Sequence, residues 1–203
     1  MSGKFIVFEG IDGAGKTTQV NKLLGRLEKL EKSAHLTAEP TELPTGRELR
    51  RVLSGEVKKS NCEIATLFTL DRIAHNTDPV LGIEKILEAG YDVICDRYYY
   101  STLAYQGAST DYEWVKSMNI NCPEIRRPDL CIFLDLKPEE SIERITKGRD
   151  KLEIYENVET LTRVREAFLR AFRDLDDNVA IVNAYRSPEE IADEIWEIYS
   201  KLQ

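Results

Sequence analysis

Residues 4–17 are KFIVFEGIDGAGKT, and this stretch decides the fold. Residues 4–9 form a short, mostly apolar run that is typical of a buried strand. Residues 10–17 then satisfy the pattern G-x-x-x-x-G-K-[ST], and apolar side chains follow at helical spacing. This motif binds phosphate when it lies between a strand and a helix, and the sequence predicts that context here. A glycine-rich turn that merely joins the strand to the helix is the alternative.

The residue types in this loop indicate what it binds. Glycines let the backbone curl with its N–H groups inward, and the positive end of the following helix attracts an anion. Lys16 is placed to reach the β and γ phosphates of a triphosphate, and Thr17 to ligate Mg²⁺. The predicted cofactor-binding residues are Gly10, Gly13, Ala14, Gly15, Lys16, Thr17 and Thr18. The motif alone does not separate a kinase from another nucleoside triphosphatase.

Outward from this loop, short apolar runs alternate with segments of helical periodicity. Strands are predicted at residues 4–9, 34–39, 91–96, 130–136 and 179–182, and helices at 63–75, 79–87, from Pro138 and from Pro188. Strands that are buried on both faces and separated by helices imply a parallel sheet with right-handed crossovers. We predict one α/β domain over residues 1–203, with the three-layer architecture of P-loop nucleoside triphosphatases and five parallel strands flanked by helices. Ligands should gather at the carboxyl ends of the strands.

Composition restricts the class of protein further. The chain has 203 residues, a formal net charge of −8 and a pI of about 5.0, so no global positive field exists to hold a long nucleic acid. Its four cysteines, Cys62, Cys95, Cys122 and Cys131, contain no C-x-x-C pair, which argues against a zinc site or a disulfide framework. No apolar run approaches ~18 residues, and the start shows no leader pattern. We therefore expect a cytoplasmic protein without a membrane partner.

A second motif, Asp96-Arg97-Tyr98, comes at the end of the third predicted strand. In a parallel sheet this position lies at the same edge as the phosphate loop. The carboxylate is suited to hold Mg²⁺ through water or to orient the attacking oxygen, and the guanidinium to clamp a phosphate or neutralise transition-state charge. An ordinary ion pair at the strand end is the alternative. The N-K-x-D string with which GTPases read guanine does not occur in the chain, which disfavours a regulatory GTPase.

Three ordered blocks carry a resemblance to a known family. They are FEGIDGAGKTTQ at residues 8–19, LFTLDR at 67–72 and DRYYYSTLAYQG at 96–107. The first block is shared by many families and the last is far more particular, and together they make the sequence similar to the thymidylate kinases. The resemblance implies transfer of the γ-phosphoryl group of MgATP to dTMP, giving dTDP and ADP, by a homodimer. A kinase for another nucleoside or deoxynucleoside monophosphate, and a nucleotide-binding sensor with little turnover, stay open as alternatives.

The resemblance also implies roles for single residues in acceptor binding. Asp12 would meet the sugar 3′-hydroxyl, Phe68 would stack on thymine and Arg72 would hydrogen-bond a base carbonyl. Phe68 and Arg72 are one turn apart, so a helix puts both side chains on one face. From the residues alone, a core Phe68 and a solvated Arg72 are the alternative. The other acceptor residues implied are Glu39, Pro40, Arg50 and Arg97 (the two arginines on the phosphate), Ser101, Tyr105 (excluding a 2′-hydroxyl) and Gln106.

A lid is predicted at about residues 144–156, where several basic side chains lie between two helices. Some thymidylate kinases carry an arginine in the phosphate loop, but position 14 is Ala here, so the chain resembles the type that supplies basic residues from the lid. Arg149 is the leading candidate for an added cation on the transferring phosphoryl group, and Lys16, Asp96 and Arg97 are the other predicted catalytic residues. A solvated helix end balanced by nearby acids is the alternative for the lid charges.

Residues 38–46, AEPTELPTG, depart from the R-E-P-G-G-T pattern of many thymidylate kinases. Ala38 removes one cation and Glu42 adds an anion, which keeps acceptors other than dTMP open. Residues 183–186 follow the fifth predicted strand, where related kinases touch adenine. Tyr99, Tyr100 and Cys95 are interpreted as core residues, and His75 is given no role.

Overall fold

The fold is described from a computed structural model, which covers residues 2–148 and 157–202; for residues 147 and 148 the backbone alone is described. The strands are β1 (Phe5–Glu9), β2 (Ala34–Ala38), β3 (Asp92–Asp96), β4 (Leu130–Asp135) and β5 (Val179–Asn183). The helices are α1 (Lys16–Lys29), α2 (Pro44–Leu53), α3 (Asn61–Thr77), α4 (Ile83–Glu88), α5 (Tyr99–Tyr105), α6 (Tyr112–Ile120), α7 (Pro138–Gly148), α8 (Val158–Asp174) and α9 (Pro188–Ser200). Each predicted strand is present, with bounds shifted by at most a residue or so.

The strands form one parallel sheet in the order β2-β3-β1-β4-β5. In register, Phe8 of β1 lies beside Asp96 of β3 and beside Ile132 of β4. From β1 the chain runs first to β2 and β3 on one side of it and later to β4 and β5 on the other side. The carboxyl ends of the central strands therefore border a crevice. The predicted fold class, a five-stranded parallel sheet flanked by helices, is confirmed.

The centre and the edges of the sheet differ in burial. Every side chain of β1 is buried, and β3 and β4 are buried except at their ends. In the edge strands Leu36 is 46% exposed and Ile181 is 53% exposed. The prediction of strands buried on both faces is therefore wrong for β2 and β5, because an edge strand has a neighbour on one side only and the covering helices do not fully enclose it.

One predicted helix begins later than expected. Residues 79–81 form turns, Gly82 is the N-cap, and α4 starts at Ile83 instead of residue 79. The Asp78 carboxylate accepts the N–H groups of Val80 and Leu81, and the Gly82 N–H donates to the Asp78 backbone oxygen. An aspartate that binds nearby backbone in this way competes with helix formation. None of the helices within the described ranges combines the length and the apolar character needed to cross a membrane.

The aromatic run at the start of α5 belongs to the core. Tyr99 and Tyr100 are fully buried, and their hydroxyls donate to the Asp177 carboxylate at 2.6 Å and 2.8 Å. Cys95 is also fully buried within β3, and burial raises the pKa of its thiol well above the ordinary value. The interpretation of these three residues as core is confirmed.

Candidate active site

The phosphate loop, residues 10–17, joins β1 directly to α1. Gly10, Gly13 and Gly15 have φ angles of 151°, 76° and 95°, which residues with a Cβ rarely adopt. A Cβ on Gly10 would also lie 2.9 Å from the Leu134 backbone oxygen. The loop borders a space of about 500 Å³, here called the loop cavity. The lining residues are Asp12, Gly13, Gly15, Lys16, Thr17, Thr18, Asp96, Arg97, Arg144 and Ile145.

Lys16 is the buried cation of this loop. It is only 8% exposed, and its ammonium donates to the backbone oxygens of Gly10 at 3.0 Å and Ile11 at 3.3 Å. Burial, followed by repulsion from Arg97, lowers the pKa of Lys16 to about 8. A desolvated cation gains strongly from an anionic partner, so the position suits the phosphates of a bound triphosphate.

Asp96 and Thr17 border the loop cavity from β3 and α1. Thr17 is exposed, whereas the Oδ1 atom of Asp96 is buried and accepts no hydrogen bond from any described residue. Buried polar atoms are nearly always paired, so this carboxylate oxygen has the capacity for a partner beyond the described residues. Hard divalent cations prefer oxygen ligands and keep several waters, and the two predicted metal ligands therefore fit Mg²⁺.

Arg97 lines two cavities at once. Its φ of 69° is left-handed, and its backbone N–H donates to the Phe8 oxygen at 2.9 Å. Its guanidinium pairs with Asp12, donates to the Ser101 hydroxyl at 3.1 Å and lies over the Tyr105 ring. A left-handed non-glycine residue costs free energy and persists where its surroundings over-determine it. The predicted catalytic arginine is thus held rigidly at the boundary between two sites.

The second space, here called the helix cavity, has a volume of about 240 Å³ and lies among α3, α5 and the turn after β2. The lining residues are Asp12, Glu39, Pro40, Leu53, Phe68, Arg72, Arg97, Tyr98, Ser101, Thr102, Tyr105 and Gln106. Every predicted acceptor residue except Arg50 is in this set. The lining combines aromatic and aliphatic side chains with charged and polar ones, which suits a small molecule that has both an apolar face and polar groups.

Arg72 is 1% exposed although it lines the helix cavity. Its guanidinium donates to Glu39, Asn119 and Thr102. Its Nε atom is buried and has no acceptor within the described part of the chain. The alternative of a solvated Arg72 is therefore wrong, and the side chain is a fixed donor with unused capacity at the cavity wall.

Two further residues of α3 hold the turn after β2 in place. His75 is bonded to Glu39 at 3.0 Å through Nδ1 and to Thr37 at 2.7 Å through Nε2. The Asp71 carboxylate accepts the N–H and the hydroxyl of Thr41, at 2.8 Å and 2.6 Å. Sequence analysis missed both supporting residues. The available signal was their spacing, because Asp71, Arg72 and His75 put three polar side chains within little more than one turn of a predicted helix.

Arg50 is the predicted acceptor residue that lies apart from the helix cavity. Its guanidinium donates to the backbone oxygens of Thr41 at 2.6 Å and Pro40 at 2.7 Å, and it pairs with Glu42 at 2.8 Å. Glu42, the acid that distinguishes this segment from the common family pattern, thus forms an ion pair with the Arg50 guanidinium. A contact of Arg50 with an acceptor phosphate stays a prediction.

The predicted lid is described only at its start. Arg149 and the rest of residues 149–156 lie outside the described residues, so this predicted cation stays a prediction. Arg144 in α7 donates to the Ala184 backbone oxygen at 2.8 Å and lines the loop cavity. It also borders an adjoining space of about 450 Å³, which Arg186 lines from the loop after β5. The segment predicted to touch adenine therefore lies beside the phosphate loop.

Glu9 is a buried acid that sequence analysis missed. It is the last residue of β1 and is fully buried, and burial raises its pKa to about 7. Its carboxylate accepts the N–H groups of Tyr98 and Ser101 and the Ser101 hydroxyl. The available signal was a single acid in an apolar strand, directly before the phosphate loop.

A loop cavity built for phosphates and a helix cavity built for a small molecule meet at Asp12 and Arg97, and this is the layout of a P-loop kinase. A family model for thymidylate kinase matches residues 8–195. Similar curated proteins are a probable thymidylate kinase of Pyrococcus horikoshii (39% identical, over 96% of this chain and 95% of the relative) and one of Sulfolobus acidocaldarius (36%, 97% and 97%). A thymidylate kinase of Leptospira interrogans is 33% identical over 96% of this chain and 93% of the relative. The chain belongs to the thymidylate kinase family.

Proposed function

We propose that the protein transfers the γ-phosphoryl group of MgATP to the phosphate of dTMP, giving dTDP and ADP. The observation that carries the proposal is the shared wall of Asp12 and Arg97 between the loop cavity and the helix cavity. A donor held on one side of this wall and an acceptor held on the other meet at the Arg97 guanidinium. Catalysis is then positioning and electrostatic stabilisation, without a covalent intermediate.

The loop cavity holds the donor. Backbone N–H groups at the start of α1 and the Lys16 ammonium bind the phosphates, and Lys16 exchanges its loop carbonyls for phosphate oxygens. Thr17 and Asp96 would hold Mg²⁺, directly or through water. A divalent cation held by these two residues would supply positive charge to the phosphate oxygens of the donor. The family resemblance and the unpartnered Asp96 oxygen support this assignment.

The helix cavity holds the acceptor base. Phe68 and Arg72 come from one face of α3, so the ring covers the plane of the base while the guanidinium reaches its edge. The Nε donor of Arg72 has no acceptor among the described residues, and the C4 carbonyl oxygen of thymine supplies one. Cytosine carries an amino group at C4, which would leave this buried donor unpaired. We therefore expect the site to reject cytosine.

The sugar and phosphate of the acceptor lie between Tyr105 and Arg97. The Tyr105 ring borders the helix cavity, and packing against C2′ leaves no room for a 2′-hydroxyl. Asp12 binds the 3′-hydroxyl, and Arg97 holds the acceptor phosphate and neutralises charge that develops during transfer. Arg149 from the predicted lid would supply a further cation on the transferring group. Arg144, which lines the loop cavity, is a cation within the described residues.

We propose a homodimer that associates through the outer faces of α3 and α6. Leu70 and Trp114 on these helices are 48% and 37% exposed. Apolar side chains grouped on adjacent helices favour association with a second copy. Static light scattering measures this directly, and Leu70→Glu should convert the dimer to a monomer. A cytoplasmic location, without a membrane or long nucleic-acid partner, remains a prediction from composition.

The proposed activity is tested by ADP release from MgATP with separate acceptors. The panel consists of dTMP, dUMP, dCMP, dGMP, ribothymidine monophosphate and thymidine, with Lys16→Ala as the control. We expect dTMP to be the best acceptor, with dUMP next because it keeps the base carbonyl. A different best acceptor overturns the assignment of the base but leaves the assignment as a kinase intact. Residues 38–46 differ from the common family pattern, so the panel can give this result. Nucleotide binding without turnover of any acceptor favours the sensor alternative.

A further inference from the structure

Glu9 connects the strand before the phosphate loop to the helix that carries acceptor residues. One carboxylate oxygen, Oε1, accepts the Tyr98 N–H at 2.8 Å and the Ser101 N–H at 3.1 Å. The other, Oε2, accepts the Ser101 hydroxyl at 2.7 Å. Glu9 itself lines neither the loop cavity nor the helix cavity. Any effect it has on substrates must therefore pass through its partners.

The first of these effects is on helix α5. The N-cap residue Tyr98 makes no side-chain cap bond, so the helix has no capping side chain of its own in this part of the described chain. Free N–H groups at a helix start need acceptors, and a carboxylate there is also favoured by the helix dipole. From β1, Glu9 supplies both the acceptor for these N–H groups and the negative charge that the helix dipole favours. It thus fixes the position of α5, which presents Ser101 and Tyr105 to the helix cavity.

The second effect runs through the Ser101 hydroxyl to Arg97. A hydroxyl has one hydrogen to donate and lone pairs to accept with. Because Ser101 donates its hydrogen to Glu9, its lone pairs are available, and Arg97 donates to them at 3.1 Å. Arg97 can only donate, so this bond needs a Ser101 lone pair that faces the guanidinium, and the acceptor at Glu9 fixes the hydroxyl in that orientation.

The charge of Glu9 is costly to keep in this position. Burial raises its pKa to about 7 even though Arg97, Ser101, Tyr98 and Lys16 all act to lower it. Perturbed buried carboxyls of this kind cluster at functional sites more than at purely structural ones. The hydrogen-bond geometry of Glu9 and the cost of burying its charge both indicate a functional role for this residue.

We propose that Glu9 is a positioning residue for phosphoryl transfer, which orients Arg97 through Ser101 and holds α5 against the acceptor. The inference rests on the proposed function, because it names the group that aligns the acceptor phosphate in that reaction. Glu9 lines neither cavity, so we assign it no catalytic role.

The test is Glu9→Gln, which keeps the shape and reverses one hydrogen bond. If the amide oxygen keeps the two N–H bonds, the amide nitrogen faces Ser101 and can only donate. The Ser101 hydroxyl then accepts from the amide and must turn its own hydrogen elsewhere, in competition with Arg97. We expect the acceptor KM to rise about tenfold and kcat to fall about tenfold, while the ATP KM stays within about twofold.

Asp177→Asn is the matched control. Asp177 is also a buried carboxylate that accepts hydrogen bonds from α5, but its partners are the Tyr99 and Tyr100 hydroxyls and the Arg127 guanidinium, and it lines neither cavity. This variant should lower the melting temperature and leave both KM values and kcat as in the wild type. Ser101→Ala and the double variant Glu9→Gln/Ser101→Ala complete a cycle. Because Glu9 acts on Arg97 through Ser101, the kinetic effects should be clearly less than additive.

Two outcomes overturn the inference. One is a Glu9→Gln variant that melts lower, as Asp177→Asn does, with wild-type kinetics towards the acceptor that the wild type uses best. The other is full additivity in the cycle. If the wild type phosphorylates no monophosphate, the proposed function fails instead, and hydrogen exchange of the ligand-free chain decides the case for Glu9. Faster exchange of the Tyr98 and Ser101 amides in Glu9→Gln supports the inference, and unchanged protection overturns it.

Discussion

The loop cavity and the helix cavity are built in different ways. The loop cavity draws most of its lining from residues 12–18, where glycine backbone and the start of α1 face the space. The helix cavity is assembled from residues of the phosphate loop, the turn after β2, α2, α3, α5 and the residues that join β3 to α5, which lie far apart in the sequence. A site made of backbone is encoded by a short contiguous motif, whereas a site made of side chains depends on what holds each of them.

The supports of the two cavities differ accordingly. The loop cavity needs little more than its glycines, because backbone N–H groups are present whatever the side chains are. The helix cavity depends on a buried charge cluster in which Arg72 pairs with Glu39 and Glu39 also binds His75. Breaking a buried pair leaves one charge without a partner, which is far costlier than losing a surface contact. Changes in the first site should therefore act on the reaction, and changes in the second on stability and acceptor binding together.

The largest effect is expected from Lys16→Ala in the loop cavity. Removing a preorganised cation from the transferring phosphates should lower kcat about a thousandfold, while the melting temperature stays the same or rises because a desolvated ammonium is lost. Steady-state kinetics with saturating dTMP and thermal unfolding measure the two. The control is Lys22→Ala on the same helix, whose exposed pair with Glu189 should be dispensable. Activity within about tenfold of wild type would contradict the loop assignment.

Arg72→Met should destabilise the helix cavity together with the fold. Glu39 keeps only its hydrogen bond with His75 in the described structure, so we expect a loss of about 3 kcal/mol of unfolding free energy and a large rise in the dTMP KM. Urea unfolding and kinetics measure these, with the ATP KM unchanged. Arg126→Met, which removes a partly exposed pair with Glu84, should cost less than about 1 kcal/mol. Equal losses of unfolding free energy in both variants would mean that the buried cluster of the helix cavity stabilises the fold no more than a partly exposed ion pair does.

The pH dependence of stability should reveal Glu9 at the junction of the two cavities. The pKa of Glu9 is raised to about 7 in the folded chain, so folding favours its protonated form. The resulting contribution to the free energy of unfolding is complete below the ordinary pKa and is lost as the pH rises through about 7. Relative to Glu9→Gln, the wild type should lose about 2 kcal/mol of unfolding free energy between roughly pH 5 and roughly pH 7.5. Urea unfolding across this range measures the difference, and parallel curves for the two proteins would show that Glu9 does not titrate there.

The smallest effect is expected at the start of α3, the helix that carries Phe68 and Arg72. Ser60 and Glu63 form a capping box there, so Ser60→Ala should cost about 1 kcal/mol of stability and leave the kinetics unchanged. Ser54→Ala, at an exposed helix end where the hydroxyl only donates to the Arg51 oxygen, is the milder control. A changed dTMP KM in Ser60→Ala would mean that local helix stability, and not the buried cluster alone, holds the helix cavity.

Local patterns were sufficient for much of the molecule. The strands were predicted because apolar runs bounded by turns are a local signal, and the phosphate loop because its motif is contiguous. The pairing of Phe68 with Arg72 on one face followed from helical spacing. The helix predicted at residues 79–87 failed at its start, because the Asp78 side chain binds backbone that a periodicity argument assigns to a helix.

The sequence by itself determined the order of strands and helices, the phosphate loop with Lys16 and Thr17, and through family resemblance most residues of the helix cavity. Only the tertiary structure decided that Glu9 caps α5, that His75 and Asp71 hold the turn after β2, and that Glu42 occupies Arg50. The reason is physical. Backbone preferences and periodicity act over a few residues, whereas the partner of a buried charge is chosen by packing between segments that lie far apart in the chain.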